Sequence, residues 1–294
     1  MASGLKVDNH CVALIANKKQ VSENDFSRFE IIEKKLKNIF KNEIESDDSI
    51  FIFISDNLIS KLSMFLSGEI TRSCAIGISG QTASGKSTIA QEIINTIFDY
   101  SNKREIKNAI CRINTDDYYY DRSDLVKYYG GFDNFAKNYD LDCPEALELS
   151  LMAKHIYELL SGKNVYLPKY DMSGTAIRYD NAQYVKSSKI IITEGLFTLN
   201  EALHDVLDFK IYVDVSRNVQ KQRFFKRADE RNLGDSANSV YENALKKAKI
   251  YVEPNSQYAD IILSGEAKLE KYNEFISKIL DLIDEIHFEN QMAL

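Results

Sequence analysis

The chain has 294 residues, 44 % hydrophobic and 28 % charged, with net charge −7, three prolines and 12 glycines. This suits one large or two small domains with a proper core and little disordered linker, and without a basic block it argues against bulk nucleic-acid or membrane-surface binding. Cys11, Cys74, Cys111 and Cys143 are scattered without a C-x-x-C, which points away from a disulfide framework or zinc site and toward free thiols in a reducing cytosol. No apolar run reaches membrane-span length and no basic stretch leads into a long apolar core. Neither a span nor a secretion signal is expected, and the expected location is cytoplasmic.

Phe26, Phe29, Ile32, Leu36, Ile39 and Phe40 recur every three or four positions, the period of an amphipathic helix, with Ser22 as candidate cap. Residues 50–54 read as a strand. Leu58, Leu62, Phe65 and Leu66 form a second helical stripe, stopped by Gly68. Residues 1–70 hold no catalytic motif and read as an N-terminal α/β extension packed on the core; partner docking or regulation is the alternative.

A short strand at 74–79 leads into Gly80-Gln81-Thr82-Ala83-Ser84-Gly85-Lys86-Ser87-Thr88, which fits the P-loop pattern G-x-x-x-x-G-K-[ST]. Backbone N–H groups of Gly80, Ala83, Ser84, Gly85 and Thr88 would cradle phosphates. Lys86 would reach the β- and γ-phosphates, and Ser87 would bind Mg²⁺. Ile89, Ile93, Ile94 and Ile97 then recur at helical spacing, the context that the motif requires.

Residues 109–113 read as a second strand ending at Asp116, Asp117, Tyr118 and Tyr119. Ligands of open α/β sheets bind beyond such strand ends, so Asp116 is the candidate base for a phosphoryl acceptor; a turn carboxylate is the plainer alternative. Residues 121–140 read as a loop or small excursion. Pro144 marks a helix start running to Leu160, with Asp142 as cap, substrate contact or both. A strand at 165–171 enters a loop holding Gly174 and Arg178. The apolar run 189–193 suits a central parallel strand, and Glu194 at its end would hold Mg²⁺ or its water. After a strand at 209–215, Arg223, Arg227 and Arg231 fall on one helical face, suited to a lid neutralising phosphate charge. Helix at 244–252, strand at 258–263 and a long amphipathic helix from Leu269 complete the chain.

Taken in order, these motifs resemble the uridine kinase (uridine–cytidine kinase) and phosphoribulokinase family of P-loop kinases over residues 73–265. Ala83-Ser84-Gly85-Lys86-Ser87 is similar to the family's A-S-G-K-[ST], and Asp116-Asp117-Tyr118-Tyr119 to its D-S-F-Y. Leu141 to Leu147 resembles F-D-H-P-D-A-F, Pro168 to Met172 resembles P-x-Y-D-F, and Glu194-Gly195-Leu196 resembles E-G-I. The resemblance implies a three-layer P-loop sandwich on a mostly parallel five-stranded sheet of order 2-3-1-4-5, with the kinase domain at 71–294 and a lid around 217–235. It implies Asp116 as base, Lys86 and Arg227 as further catalytic groups, Arg223 and Arg231 on the nucleotide, and Tyr119, Asp142, Tyr170 and Arg178 around the acceptor. Mg²⁺ would be held by Ser87, Glu194 and Asp116, with ATP or GTP as donor.

Two departures stand out. Ser173 to Arg178 lacks the family's base-reading His, and Phe224 and residues 232–234 thin the lid's arginine pattern. The expected reaction is phosphorylation of a nucleoside, first the 5′-OH of uridine or cytidine, with no nucleic-acid or membrane partner and homo-oligomerisation left open. The alternatives are another acceptor (a sugar phosphate, pantothenate or glycerate) or a nucleotide-binding regulator without turnover.

Overall fold

The computed structural model describes residues 23–231 and 233–292. Its strands in chain order are β1 (Phe51–Ile54), β2 (Cys74–Gly80), β3 (Ile110–Asn114), β4 (Val165–Tyr170), β5 (Arg178–Val185), β6 (Ile190–Glu194), β7 (Phe209–Asp214) and β8 (Ile261–Ser264). The helices are α1 (Glu23–Ile44), α2 (Leu58–Ser67), α3 (Lys86–Lys103), α4 (Ser123–Tyr128), α5 (Phe132–Asn138), α6 (Leu149–Leu160), α7 (Arg217–Glu230), α8 (Ala237–Tyr251) and α9 (Leu269–Met292). Ser22, the expected cap of α1, and Cys11 lie outside the described residues; Cys74, Cys111 and Cys143 are free thiols.

Six strands form one sheet, in the order β1-β8-β7-β2-β6-β3. The five from β2 onward are parallel, and counted from β2 they run 2-3-1-4-5, as the resemblance implies. The count of five is corrected by β1, which pairs antiparallel with β8. The strand from the N-terminal segment is therefore the sixth member of the main sheet. Behind it, Lys61 of α2 pairs with buried Asp260 at 2.6 Å.

Helices cover both faces, which is why the central strands are apolar on both sides rather than alternating. Ile78, Ile192 and Ile211 pack with α1, α3 and α9 through Leu36, Ile89, Ala90 and Tyr272. On the other face Ala75, Ile113 and Ile191 pack against Met152, Ile156 and Leu159 of α6. A smaller cluster of Phe224, Ala228, Ala237 and Tyr241 holds α7 to α8. No helix among the described residues is long and apolar enough to cross a membrane.

Three local expectations are corrected. Residues 121–140 hold α4 and α5, anchored by fully buried Phe135. The helix expected from Pro144 begins at Leu149, because Pro144–Ala146 is a separate 3₁₀ turn that leaves Leu147 extended and bridged to Tyr119. Arg178 opens a strand rather than sitting in a loop: β4 and β5 make a separate antiparallel hairpin.

Candidate active site

The P-loop joins β2 to α3. Gly85 at φ 97° occupies the left-handed region that L side chains resist, and Lys86 is the first residue of α3. That turn aims the free N–H groups at the N-terminus of α3 into the loop, where an anion is stabilised by donors and dipole together. Lys86 Nζ donates to the Gln81 carbonyl at 3.4 Å. Burial pushes its ammonium pKa down, opposed by Glu194 and Asp116 and assisted by Arg227.

The carboxylates reach this lysine from the adjacent strand ends. Asn114 of β3 lies in register with Glu194 of β6. The next residue, Thr115, begins a 3₁₀ turn seated directly on Gly195: a Cβ there would lie 1.5 Å from Thr115 Oγ1. Glycine permits the contact, and Thr115 Oγ1 donates to the Glu194 carbonyl at 3.1 Å. Asn114 Oδ1 accepts the Asp116 N–H at 3.0 Å and caps the turn. Asp116 and Glu194 are thereby fixed side by side. Burial pushes the Asp116 carboxyl pKa up; Lys86 and Lys169 oppose the rise, while Glu194 and Asp117 add to it. Neighbouring Asp117 is used differently, pairing with Lys169 at 3.0 Å and accepting the Tyr170 N–H at 3.3 Å.

Glu194 is buried. Its Oε2 accepts the Ser87 hydroxyl at 2.9 Å and its Oε1 pairs with Arg112 at 2.6 Å. Ser87, Glu194 and Asp116 offer a hydroxyl and two carboxylates, the hard oxygen donors that suit Mg²⁺. No cluster of three or more His, Cys, Asp or Glu able to hold a metal occurs among the described residues. The donor set fits an ion held by one or two carboxylates and substrate phosphates, rather than by an all-protein cage.

One face of α7 rests on the P-loop. Arg227 Nη2 donates to Thr82 Oγ1 at 2.7 Å, and Gln220 Nε2 donates to Gln81 Oε1 and the Thr82 carbonyl at 2.8 and 3.0 Å. Arg223 donates to the Gly265 and Ser84 carbonyls at 2.9 and 3.3 Å and so ties the P-loop to the segment after β8. One cavity is lined by Lys86, Ser87, Thr88, Arg223 and Arg227; a second by Thr82, Asp142, Phe197, Arg227, Arg231 and Lys247. Arg227 and the P-loop separate the two. Burial lowers the Arg227 pKa, with Arg231 adding to the effect.

Asp142 lines the second cavity and is not a helix cap; Asn243 of α8 donates to it at 3.3 Å. Burial and nearby Asp140 push its carboxyl pKa up, and Lys247, paired to Asp140, opposes them. The other expected acceptor residues are not among those lining either cavity. The Tyr119 hydroxyl donates to the Leu141 carbonyl at 3.2 Å, and its ring lies 5.2 Å from that of Tyr170. The Tyr170 hydroxyl is buried without a partner, its pKa pushed up to about 12 by burial. Arg178 is ion-paired to Glu148 at 2.8 Å and Asp180 at 3.0 Å. Where the family carries its base reader, Asp171 instead accepts from Ser173 and Thr175, and Ala176 is fully buried.

Sequence reasoning missed Arg112, Thr82, Asn243 and Lys247. A lone arginine inside an apolar strand was a signal for the first; Asn243 and Lys247, four apart on one helix, offered a weaker one.

The family model for the Phosphoribulokinase / Uridine kinase family matches residues 75–268. A uridine kinase from Clostridium novyi (strain NT) is 34 % identical over 221 residues, covering 73 % of this chain and 98 % of that protein. One from Clostridium tetani (strain Massachusetts / E88) is 36 % identical over 197 residues, covering 65 % and 87 %. Among solved structures, a phosphoribulokinase from Rhodobacter spheroides aligns at 17 % identity and a TM-score of 0.49, covering 66 % of this chain and 70 % of that one.

Proposed function

The chain belongs to the phosphoribulokinase / uridine kinase family, and on that premise we propose that it transfers the γ-phosphoryl of ATP or GTP to the 5′-OH of a pyrimidine nucleoside. The observation that carries this reading is the placing of Asp116 and Glu194 against Lys86 and Ser87 at the mouth of a P-loop, with Arg227 bordering both flanking cavities.

In this reading the donor's phosphates lie on the P-loop N–H groups, and Lys86 exchanges the Gln81 carbonyl for phosphate oxygens. Asp116 accepts the hydrogen bond of the attacking hydroxyl and takes its proton; a carboxyl held above its ordinary pKa is a stronger base for that purpose. Arg227 leaves Thr82 Oγ1 for the transferring phosphoryl, where a guanidinium neutralises charge that peaks in the transition state. Asp142, positioned by Asn243, accepts from a ribose hydroxyl. Ser87, Glu194 and Asp116 would hold Mg²⁺, which supplies charge neutralisation across the β- and γ-phosphates.

The self-satisfied Asp171–Arg178 segment favours keeping a second acceptor class in view, a small hydroxylated molecule other than a pyrimidine nucleoside. ADP release with ATP or GTP and a panel of uridine, cytidine, sugar phosphates, pantothenate and glycerate tests both. Uridine or cytidine should give the highest kcat/KM. Stimulation by a non-nucleoside alone would replace the acceptor, and nucleotide binding without any stimulated turnover would replace the enzyme reading with a regulatory one.

A further inference from the structure

Strand β3 reads Ile110-Cys111-Arg112-Ile113-Asn114, with a single cation among its apolar side chains. A strand alternates its faces, so Arg112 shares a side with Ile110, which packs in the cluster around α3. From there its guanidinium makes two contacts. Nη2 reaches Glu194 Oε1 at 2.6 Å, and Nη1 donates to Gln91 Oε1 on α3 at 2.9 Å. Gln91 lies on the second turn of the P-loop helix, so the guanidinium is tied at once to that helix and to the carboxylate facing Ser87.

Both oxygens of Glu194 are therefore committed, one to Arg112 and one to Ser87. The charges converging here are Glu194, Asp116 and Asp117 against Lys86, Arg112, Arg227 and Lys169, and of these cations Arg112 is the one in contact with Glu194. Without Arg112 the site loses one positive charge and Glu194 loses its contacting cation, which raises the attraction of the carboxylates for a divalent ion. With it the charge of Glu194 is met locally, and an ion gains enough attraction only when phosphates arrive.

We propose that Arg112 is a positioning residue for the metal-binding carboxylate. It fixes Glu194 by one oxygen so that the other faces Ser87, and it cancels the carboxylate's charge so that the divalent cation enters with nucleotide rather than ahead of it. The inference rests on the kinase reading above.

Mn²⁺ is the probe, titrated by electron paramagnetic resonance against the full chain, with and without ADP. Wild type should bind no Mn²⁺ at sub-millimolar concentration without nucleotide. Arg112→Met should bind Mn²⁺ without nucleotide, with affinity raised at least tenfold. It should also lose several-fold in Mn²⁺–ADP affinity, because Glu194 is no longer oriented. Arg112→Lys, which keeps the charge, should restore the nucleotide requirement. A folded Arg112→Met protein whose Mn²⁺ binding matches wild type in both arms would overturn the proposal.

If Arg112→Met does not fold, Gln91→Leu stands in. It leaves every charge in place but frees the guanidinium, so Mn²⁺–ADP affinity should fall several-fold while nucleotide-free binding stays absent. Unchanged Mn²⁺–ADP affinity in Gln91→Leu together with nucleotide-free Mn²⁺ binding by Arg112→Lys would count equally against it. Failure of the kinase reading shows separately, as absence of nucleotide binding by wild type in the same titration.

Discussion

Asp116→Asn separates chemistry from folding. The carboxyl sits beside Glu194 in a buried setting that raises its pKa, and its backbone N–H bond to Asn114 does not depend on the side chain's charge. The amide keeps the shape and removes both the base and a burial cost. Loss of a general base lowers rates by about 10²–10⁴, which is ~3–5.5 kcal/mol on the barrier at about 1.36 kcal/mol per decade. Stability should move the other way. Because the folded pKa is raised, the unfolded chain loses this proton first as pH climbs. The group's favourable contribution is full below about pH 4 and is lost as pH rises through the folded value. At neutral pH the variant should thus be at least as stable as wild type, and its stability should fall less between pH 4 and 7. ADP release with the best acceptor measures the first effect, and urea denaturation across that pH range the second. Turnover within threefold of wild type in a folded variant would refute Asp116 as base; a variant less stable than wild type at pH 7 would refute the account of its burial.

Arg227→Met should lower kcat by about 10²–10³ with a smaller change in nucleotide affinity by calorimetry, and Arg227→Lys should not restore it because an ammonium lacks the planar fork. Tyr170→Phe removes a buried hydroxyl that has no partner. The free protein should gain about 1 kcal/mol by denaturation while acceptor KM rises roughly tenfold if that hydroxyl reads the acceptor; unchanged KM would exclude it as an acceptor contact. Asp260→Ala strips buried acceptors from Lys61 and the Lys210 N–H. Because Lys61 is about one-third exposed, the cost should be about 2–3 kcal/mol, below that of a fully buried pair. Turnover per folded molecule should be unchanged, with one cooperative urea transition if the N-terminal elements share the core's fold. Two transitions would make them a separate unit.

The phosphate side of the site was legible because its chemistry is local. A P-loop needs consecutive backbone N–H groups, a lysine and a hydroxyl, and all lie within nine residues bounded by a strand and a helix. Asp116 and Glu194 were legible for a related reason: parallel strands of nearly equal length end together, so residues just past them converge whatever the intervening chain does. Gly195 shows the limit. In the sequence it has only a place after Glu194 at a strand end, while its actual role, admitting Thr115 at a distance no Cβ could tolerate, exists only once β3 lies beside β6.

What stayed hidden depends on contacts between distant segments. Strand β1 lies within the apolar pentad 50–54, and nothing in it specifies that its partner is β8, some two hundred residues later. The hairpin β4–β5 was half seen because β5, with the sequence RYDNAQYV, is exposed along most of its length and carries no apolar alternation. Its strand conformation comes from β4, so propensity alone is silent. The acceptor side was obscured in the same way. Arg178 carries the charge expected of a ligand contact, yet Glu148 and Asp180 already pair it, although the nitrogen facing Glu148 is buried without hydrogen-bond geometry; Tyr170 looks like a core aromatic, and its hydroxyl is buried with neither hydrogen bond nor ion pair. A charged side chain is available to a ligand only if the fold has not neutralised it, and a buried polar atom without a partner points more directly to a ligand than charge does. Tyr170, whose one polar side-chain atom has no partner of any kind, is therefore the first residue to vary in identifying the acceptor, and Arg178, whose charge two carboxylates already meet, the one whose loss should first be read as a loss of stability.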